Sequence, residues 1–278
     1  MRLRVGARTD LGRVRALNED VYVSRPEQGL FVVCDGMGGA PAGEVASQVA
    51  VETILAQLET TGEQGPGDAA ADGGGYLPRT HCLAQAVRRS NQVIYAQGRQ
   101  DPRQAEMGTT VVGAWVNHHI ASVAHVGDSR AYLFHDNRLE ALTRDHSLVE
   151  AEVSAGLLDR EQSLQSDHQN ILLKVLGGAP DVDVELSEVP LQPGDYLLLC
   201  SDGLTRMVPD RMLSKAIGEL QHPQRICDYL IEAANRNGGP DNITVIVVEV
   251  VDHWWRRLSN RWFRQLRRGD DAEARSAA

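Results

Sequence analysis

The chain has 278 residues, of which 42% are hydrophobic and 24% charged, and its formal net charge is -10. This composition is typical of a globular protein long enough to bury one large core. The acidic balance argues against general nucleic-acid binding and suits a protein that gathers cations.

The cysteines and the N-terminus restrict the compartment. Cys34, Cys82, Cys200 and Cys227 lie far apart and form no Cys-x-x-Cys pair, so the sequence indicates neither a zinc site nor a disulfide framework. The first residues lack the apolar stretch of a signal peptide, and no run is long and apolar enough to span a bilayer. We therefore expect a cytoplasmic protein.

Short valine-rich and aromatic segments, bounded by Gly, Pro, Asn or Asp, predict strands in chain order. They are GLFVVCDG (29–36), TTVVGAWV (109–116), IASVAHVGDSRAYLF (120–134), DYLLLCSDG (195–203) and NITVIVVEV (242–250). Several are continuous apolar runs, which are typical of strands covered on both faces.

Helices are predicted between these strands from apolar residues at helical spacing. They cover 43–59, 83–95, 146–156 and 225–239, and the third begins with a capping box from Ser147 to Glu150. The first two follow one another without a strand between them. Clustered strands interrupted by helix pairs favour an α+β fold with packed sheets over a doubly wound parallel sheet. The Gly- and Ala-rich segment at about 59–80 predicts a flexible surface loop.

Six acidic residues lie at the edges of these elements. They are Glu19, Asp20, Asp35, Asp128, Asp202 and Asp241. Any one of them could be a turn residue that accepts backbone N–H groups. Converging carboxylates, however, repel one another unless a cation lies among them. Oxygen ligands without His or Cys select Mg²⁺ or Mn²⁺, so the set indicates a site for one of these ions.

A series of motifs in a fixed order resembles a known family. RALNED, VVCDGMGG, MGTTVV, HVGDSRAYLF, LTRDHSLV, LLLCSDGLTRMV and GGPDNITVIVV follow one another along the chain. In that order, over about residues 5–251, the sequence resembles the metal-dependent Ser/Thr protein phosphatases, protein phosphatase 2C, in their bacterial form. The resemblance implies an α+β fold: a four-layer α-β-β-α sandwich of two central antiparallel sheets flanked by helix pairs.

The resemblance also assigns the site. It implies metal binding by Glu19, Asp20, Asp35, Gly36, Asp128, Asp202 and Asp241, and catalytic roles for Arg15, Asp35 and Asp202. Asp35 would bridge two Mn²⁺ or Mg²⁺ ions, and Asp128 with Asp202 matches a third metal position. Asp20 would orient ligands, and the planar fork of Arg15 would bind the substrate phosphate.

The implied activity is hydrolysis of phosphoserine and phosphothreonine in proteins by a water or hydroxide that bridges two ions. Cys34 and Cys200 are interpreted as buried apolar residues, and His146 with Ser147 as a helix start. Two alternatives stay open: a catalytically silent phosphoprotein-binding or sensor module of the same fold, and a small-molecule phosphoesterase. The expected partners are phosphorylated proteins, including a Ser/Thr kinase whose signalling the enzyme reverses. We expect a monomer.

Two segments depart from the family pattern. Met37 and Ala40 stand where relatives place histidines, which leaves the general acid open. The flap, at about 146–176, has SDHQNILLKVLGG where relatives carry a longer segment with an arginine. Substrate choice and the third metal position depend on this flap.

The C-terminal tail forms a separate module after a catalytic domain at 1–252. Residues 253–278 hold seven arginines against three acids, whereas the rest of the chain is strongly acidic. At about 100° per residue, Trp254, Trp255 and Trp262 fall on one face and six arginines on the other, as in a basic amphipathic helix. The tail either packs on the catalytic domain or contacts an anionic membrane surface or an acidic partner.

Overall fold

A computed structural model describes residues 1–37, 42–60, 75–159, 162, 168 and 171–251. The strands are β1 Arg2–Asp10, β2 Asp20–Arg25, β3 Leu30–Met37, β4 Gly108–Thr109, β5 Val111–Asn117, β6 Ile120–Val126, β7 Arg130–His135, β8 Arg138–Ala141, β9 Glu185–Pro190, β10 Tyr196–Cys200 and β11 Ile243–Val251. The helices are α1 Ala42–Thr60, α2 Pro78–Gln100, α3 Leu148–Ser154, α4 Asp202–Thr205, α5 Asp210–Leu220 and α6 Pro223–Arg236, with a 3-10 turn at Pro102–Gln104.

The strands form two antiparallel sheets. One sheet has the order β1-β11-β10-β7-β8, and the other has the order β2-β3-β5-β6-β9 with β4 paired to β3. The chain passes from the second sheet to the first between β6 and β7, through the turn at Gly127 and Asp128. This turn therefore lies where the two sheets meet.

The two sheets pack face to face over a buried apolar layer. Phe31 and Val112 enter it from the second sheet, and Leu197, Leu199 and Ile246 enter it from the first. Each of these side chains is fully or almost fully buried, and burial of such a side chain stabilises a fold by about 1.5–3 kcal/mol. The opposite faces of these strands are covered by helices. Successive residues of each strand are therefore buried, which explains the continuous apolar runs in the sequence.

Helices cover both outer faces of the sandwich. Ile54 of α1 and Leu83 of α2 pack with Val32 of β3, outside the second sheet. Leu213 of α5 and Leu230 of α6 belong to a separate cluster outside the first sheet. The predicted α+β, four-layer α-β-β-α sandwich is confirmed.

The first two helices extend into the loop that the sequence predicted between them. Helix α1 continues to Thr60 and α2 begins at Pro78, so the ends of the loop predicted at about 59–80 are helical and only 61–74 lie outside the described residues. Pro at the first position of α2 suits a helix start, because the N–H that it lacks has no helical partner there. One of the two hydrogen bonds of the predicted capping box is confirmed, since the Ser147 hydroxyl accepts from the Glu150 N–H at 3.3 Å, whereas Glu150 Oε1 accepts from Arg144 Nε at 3.1 Å.

The flap is described in part. An isolated bridge joins Ser147 to Leu172 within the flap, and a second joins Leu176 to Thr109 of β4. The His146 N–H also donates to the Gly127 carbonyl at 2.8 Å, so both ends of the flap are tied to the domain. Most of 160–170 lies outside the described residues, as do Ala40 and the tail at 253–278. Within the described ranges, none of the helices has the length and apolar character needed to cross a membrane.

Candidate metal centre

The acidic residues predicted from the sequence gather at one end of the sandwich. On the second sheet, Asp20 of β2 is the register partner of Asp35 of β3. On the first sheet, Asp202 directly follows β10 and Asp241 closely precedes β11, and these two strands are paired. Asp128 lies in the turn between the sheets. Five carboxylates from five chain segments therefore face one region.

Asp20 connects the two sheets. Its Oδ2 accepts hydrogen bonds from Ser201 Oγ at 2.8 Å and from Thr244 Oγ1 at 2.7 Å. Both donors belong to the first sheet or its strand end, whereas Asp20 belongs to the second. The Ser201 hydroxyl also accepts from the Thr244 N–H at 2.9 Å. Asp20 is 6% exposed, and this network fixes the orientation of its carboxylate.

Hydrogen bonds of its backbone hold Asp35 in place. Its N–H donates to Thr110 Oγ1 at 3.2 Å, and its carbonyl accepts from the Thr110 N–H and from Thr109 Oγ1, each at 2.9 Å. Thr110 Oγ1 also lies 2.7 Å from Ser129 Oγ. The same threonine thus couples Asp35 to the turn that carries Asp128.

Gly36 permits a close approach of three segments. A Cβ built on it would lie 2.1 Å from the Gly43 carbonyl oxygen and 2.8 Å from the Glu19 carbonyl oxygen. The Gly36 N–H donates to that Glu19 carbonyl at 3.1 Å. Any other residue at this position would force the start of α1 or the Glu19 segment away from the site.

Asn242 positions the segment that carries Arg15 and Glu19. Its Nδ2 donates to the Leu11 and Leu17 carbonyls, each at 3.0 Å, and its Oδ1 accepts from the Glu19 N–H at 2.8 Å. Arg15 lies at the edge of the cluster, where Nη2 is 2.8 Å from Asp241 Oδ2. The Arg15 side chain is 49% exposed, so its guanidinium can reach a ligand from solvent.

Burial raises the pKa of Glu19 and of four of the five aspartates. The pKa of Asp20 rises to about 7 and that of Asp128 to about 8, in both cases mainly because of burial. Burial is also the leading cause for the raised pKa values of Asp35 and Asp202. Neighbouring aspartates raise the pKa of Asp35 further, whereas the charge of Arg206 opposes the shift at Asp202. Such a cluster is costly to ionise unless a cation accompanies it.

The cluster also offers oxygens that the described residues leave unsatisfied. Glu19 Oε1, Asp20 Oδ1 and Asp202 Oδ1 are buried and receive no hydrogen bond from the described part of the chain. A buried polar atom without a partner destabilises a fold. Unsatisfied carboxylate oxygens in an all-oxygen set fit Mn²⁺ or Mg²⁺ as the missing partner.

Sequence reasoning missed Arg206, which lies among these acids. Its Nη2 is 2.5 Å from Asp202 Oδ2 and 3.4 Å from Asp128 Oδ2. The signal was its position four residues after Asp202, a spacing at which side chains of a helix meet. Asn242, Ser201 and Thr244 were also missed as the residues that hold Glu19 and Asp20.

Another group of possible ligands lies apart from the aspartates. Within the described ranges, three candidate ligand atoms come within 4.8 Å of one another only at His125, His146 and Glu185. His146 Nδ1, however, accepts from the Gly127 N–H at 3.1 Å, which leaves the proton on Nε2, 3.0 Å from Glu185. A protonated Nε2 cannot bind a metal, so His146 supports the turn beside Asp128. The carboxylate oxygens of the aspartate cluster lie farther apart than the ligand atoms of this group, and Arg15 and Arg206 contact them.

The buried cysteines agree with their interpretation as apolar residues. Cys34 and Cys200 are fully buried in β3 and β10. Burial raises the pKa of both thiols, to about 12 for Cys200. A thiol that stays protonated at neutral pH is a poor nucleophile.

Known proteins are similar to this chain in fold and in sequence. Residues 13–267 match the protein phosphatase 2C family. The serine/threonine phosphatase stp of Listeria welshimeri is 39% identical over 248 residues, which are 87% of this chain and 94% of the relative. The crystal structure of the Mycobacterium tuberculosis serine/threonine phosphatase PstP/Ppp superposes with a TM-score of 0.80 at 34% identity, covering 91% of this chain and 100% of that one.

A second solved structure includes metal. It is the catalytic domain of PstP in complex with two manganese ions, with a TM-score of 0.76 and 36% identity over 90% of this chain and 99% of that one. The chain belongs to the protein phosphatase 2C family, and the resemblance predicted from its motifs is confirmed. The family match continues past Val251 to residue 267, farther than the predicted span of about 5–251.

The raised pKa values predict that the metal-free protein loses stability as pH rises. The folded state binds more protons than the unfolded state between the unfolded pKa, near 4, and the folded values of about 7 for Asp20 and about 8 for Asp128. The stability that these two carboxyl groups contribute to the metal-free fold is therefore complete below pH 4 and is lost as pH rises through 7–8. In chelator, we expect the Tm to fall by several degrees from pH 6 to pH 8.5, since about 1 kcal/mol corresponds to ~2–4 °C at this size.

Thermal melts with and without saturating Mn²⁺ measure this. Asp128→Asn should flatten the fall in chelator, because it removes one of the titrating groups. Mn²⁺ should reduce the fall in the native protein, because the ion binds deprotonated carboxylates. A metal-free Tm that rises across this range would contradict the electrostatic description of the cluster.

Proposed function

We propose that this protein is a metal-dependent phosphoprotein phosphatase that hydrolyses phosphoserine and phosphothreonine. The observation that carries the proposal is the convergence of five carboxylates at one end of both sheets, with buried oxygens unsatisfied by the described residues. Family membership and the two manganese ions of the related PstP catalytic domain support the same activity.

The proposed metal ligands are those that the resemblance assigned. Asp35 would contact both central ions, Glu19 and the Gly36 carbonyl one of them, and Asp202 and Asp241 the other. Asp20 would hold the neighbouring ligands through Ser201 and Thr244. Asp128 and Asp202 are the pair that the resemblance matches to a third metal position. When bound, two Mn²⁺ or Mg²⁺ ions would supply an activated water and neutralise charge on the phosphoryl oxygens.

Arg15 is the proposed phosphate-binding residue. It lies at the solvent edge of the cluster, where its Nη2 contacts Asp241 Oδ2 at 2.8 Å. With Asp241 engaged by metal, its guanidinium would be released to donate to a phosphate. Such charge-assisted, bidentate contacts orient a tetrahedral anion. A group that protonates the leaving hydroxyl is not assigned: Met37, 38% exposed next to Gly36, has no proton to give.

A comparison of two substrates tests the proposed substrate class. We expect kcat/KM for a phosphothreonine peptide to exceed that for a small aryl phosphate at least about tenfold at the same Mn²⁺ concentration, because contacts outside the phosphate can stabilise the transition state. Faster turnover of the aryl phosphate would favour a small-molecule phosphoesterase. Tight phosphopeptide binding without phosphate release would favour the silent binding module.

The biological setting belongs to the proposal as well. We propose a role in signal transduction in which a monomeric cytoplasmic enzyme removes phosphate from the targets of a Ser/Thr kinase and from the kinase itself. This rests on the substrate class alone. A kinase co-expressed with the protein should lose phosphothreonine, and unchanged kinase phosphorylation would argue against that partner.

The basic tail is proposed as a docking segment after a catalytic domain at 1–252. On an ideal helix its three tryptophans and six arginines would fall on opposite faces, which would suit an anionic membrane surface. Vesicle flotation of the full chain and of 1–252 measures this. The full chain should bind anionic vesicles in a salt-sensitive way and the shorter one should not. Unfolding of 1–252 would instead indicate that the tail packs on the domain.

A further inference from the structure

Arg206 places a fixed positive charge inside the acidic cluster. It follows α4, one turn after Asp202, and its N–H donates to the Asp202 carbonyl at 2.9 Å. Its Nη2 then lies against Asp202 Oδ2 at 2.5 Å and near Asp128 Oδ2 at 3.4 Å. One guanidinium therefore bridges two acids that are 7% and 11% exposed in their side chains.

The bridge uses the oxygens that a third metal ion would need. A Mg²⁺ ion at the Asp128 and Asp202 pair would bind carboxylate oxygens at about 2.0–2.1 Å. A guanidinium nitrogen at hydrogen-bond distance from the same atoms occupies that space. Asp202 Oδ1, by contrast, is unsatisfied by the described residues and is available on the other side of the carboxylate. Asp202 can thus contact Arg206 through one oxygen and a central ion through the other.

Arginine is suited to this replacement. Its guanidinium remains charged at any physiological pH and presents several N–H donors in one plane. It is tethered by its own helix, so its local concentration does not depend on the metal content of the solution. A divalent ion would have to displace a cation that cannot diffuse away.

We infer that Arg206 is a built-in cation that takes the place of a third metal ion at Asp128 and Asp202, so that this enzyme binds two ions rather than three. The inference rests on the proposed function, since it concerns the same acidic cluster. Arg206 is a positioning residue here. It holds Asp202 and Asp128 without contact to substrate.

The number of Mn²⁺ ions bound is the direct test, measured by isothermal titration calorimetry and by electron paramagnetic resonance of free Mn²⁺. The full-length native protein should bind two ions. Arg206→Met keeps much of the apolar stem and removes the charge, so it should gain a third ion whose affinity is at least about tenfold higher than in the native protein. Arg206→Lys retains a cation and should stay at two.

Two controls separate this effect from general changes in charge. Arg211→Met removes an exposed arginine of α5 and should leave two ions. The double variant Arg206→Met with Asp128→Asn should lose the third ion again, because the site then lacks one of its two carboxylates. Circular dichroism of each variant establishes that it is folded.

The Mn²⁺ titrations test the inference and the proposed function separately. A third ion bound equally by native protein and Arg206→Met, or only two ions bound by a folded Arg206→Met, would overturn the inference while leaving the phosphatase intact. Absence of any Mn²⁺ binding to the native protein would remove the proposed function and the inference together.

Discussion

Replacing Asp35 with asparagine should lower kcat on a phosphothreonine peptide by at least about 10³-fold. Asp35 lies at the centre of the cluster, and the resemblance assigns it to both central ions. A neutral amide binds divalent ions weakly, and the electrostatic contribution of a metal pair to such a reaction is several kcal/mol, with each ~1.4 kcal/mol worth a factor of ten. Steady-state kinetics with saturating Mn²⁺ measures the change.

The fold of this variant should survive. Asp35 is held in place by backbone contacts to Thr109 and Thr110, which asparagine keeps. Burial raises the pKa of the Asp35 carboxyl, so its loss should leave the metal-free Tm unchanged or higher. Asp136→Asn is a matched control, because Asp136 is 87% exposed and its left-handed backbone tolerates asparagine. Near-native kcat in Asp35→Asn would exclude the bridging role.

Replacing Arg15 with alanine should reduce kcat/KM on the phosphopeptide by about 10- to 1000-fold. The range corresponds to the loss of one or two charge-assisted hydrogen bonds to phosphate. Mn²⁺ affinity should be unchanged or slightly higher, since Arg15 contacts the proposed ligand Asp241 at 2.8 Å and competes with metal for it.

Kinetics and metal titration together separate the two possible roles of Arg15. Arg13→Ala is a matched control, because Arg13 is an exposed arginine of the same segment, and its loss should change kcat/KM less than about threefold if bulk surface charge contributes little. Weakened Mn²⁺ binding by Arg15→Ala would instead make Arg15 a support for Asp241 rather than a phosphate ligand.

The sequence predicted most of the sandwich because its central strands are continuous apolar runs. β3, β10 and β11 match the predicted segments closely. β1 was not predicted, although it pairs with β11 over its whole length. It is an edge strand whose side chains are mostly exposed or half-buried, so its apolar signal is weak. β9 is also an edge strand, and it was missed for the same reason, because it mixes acidic, polar and apolar residues that are exposed or half-buried.

The acidic site was partly predictable for a different reason. Asp35 and Asp202 were among the six acids placed at the edges of the predicted elements, and the two do lie at the same end of the sandwich. Arg206 could be placed near Asp202 from its spacing, but Asp128 is 78 residues away along the chain. Contacts of that separation depend on how the two sheets pack. The roles assigned to the individual ligands and to Arg15 stay predictions.

Phosphate release after metal removal tests the central proposal most directly. The protein is treated with excess chelator, separated from it, and assayed on a phosphothreonine peptide before and after addition of Mn²⁺ or Mg²⁺, with Asp35→Asn as the blank. We predict turnover at the level of the blank in the metal-free state and recovery with Mn²⁺ or Mg²⁺. Undiminished turnover by the metal-free protein would contradict the metal-dependent account.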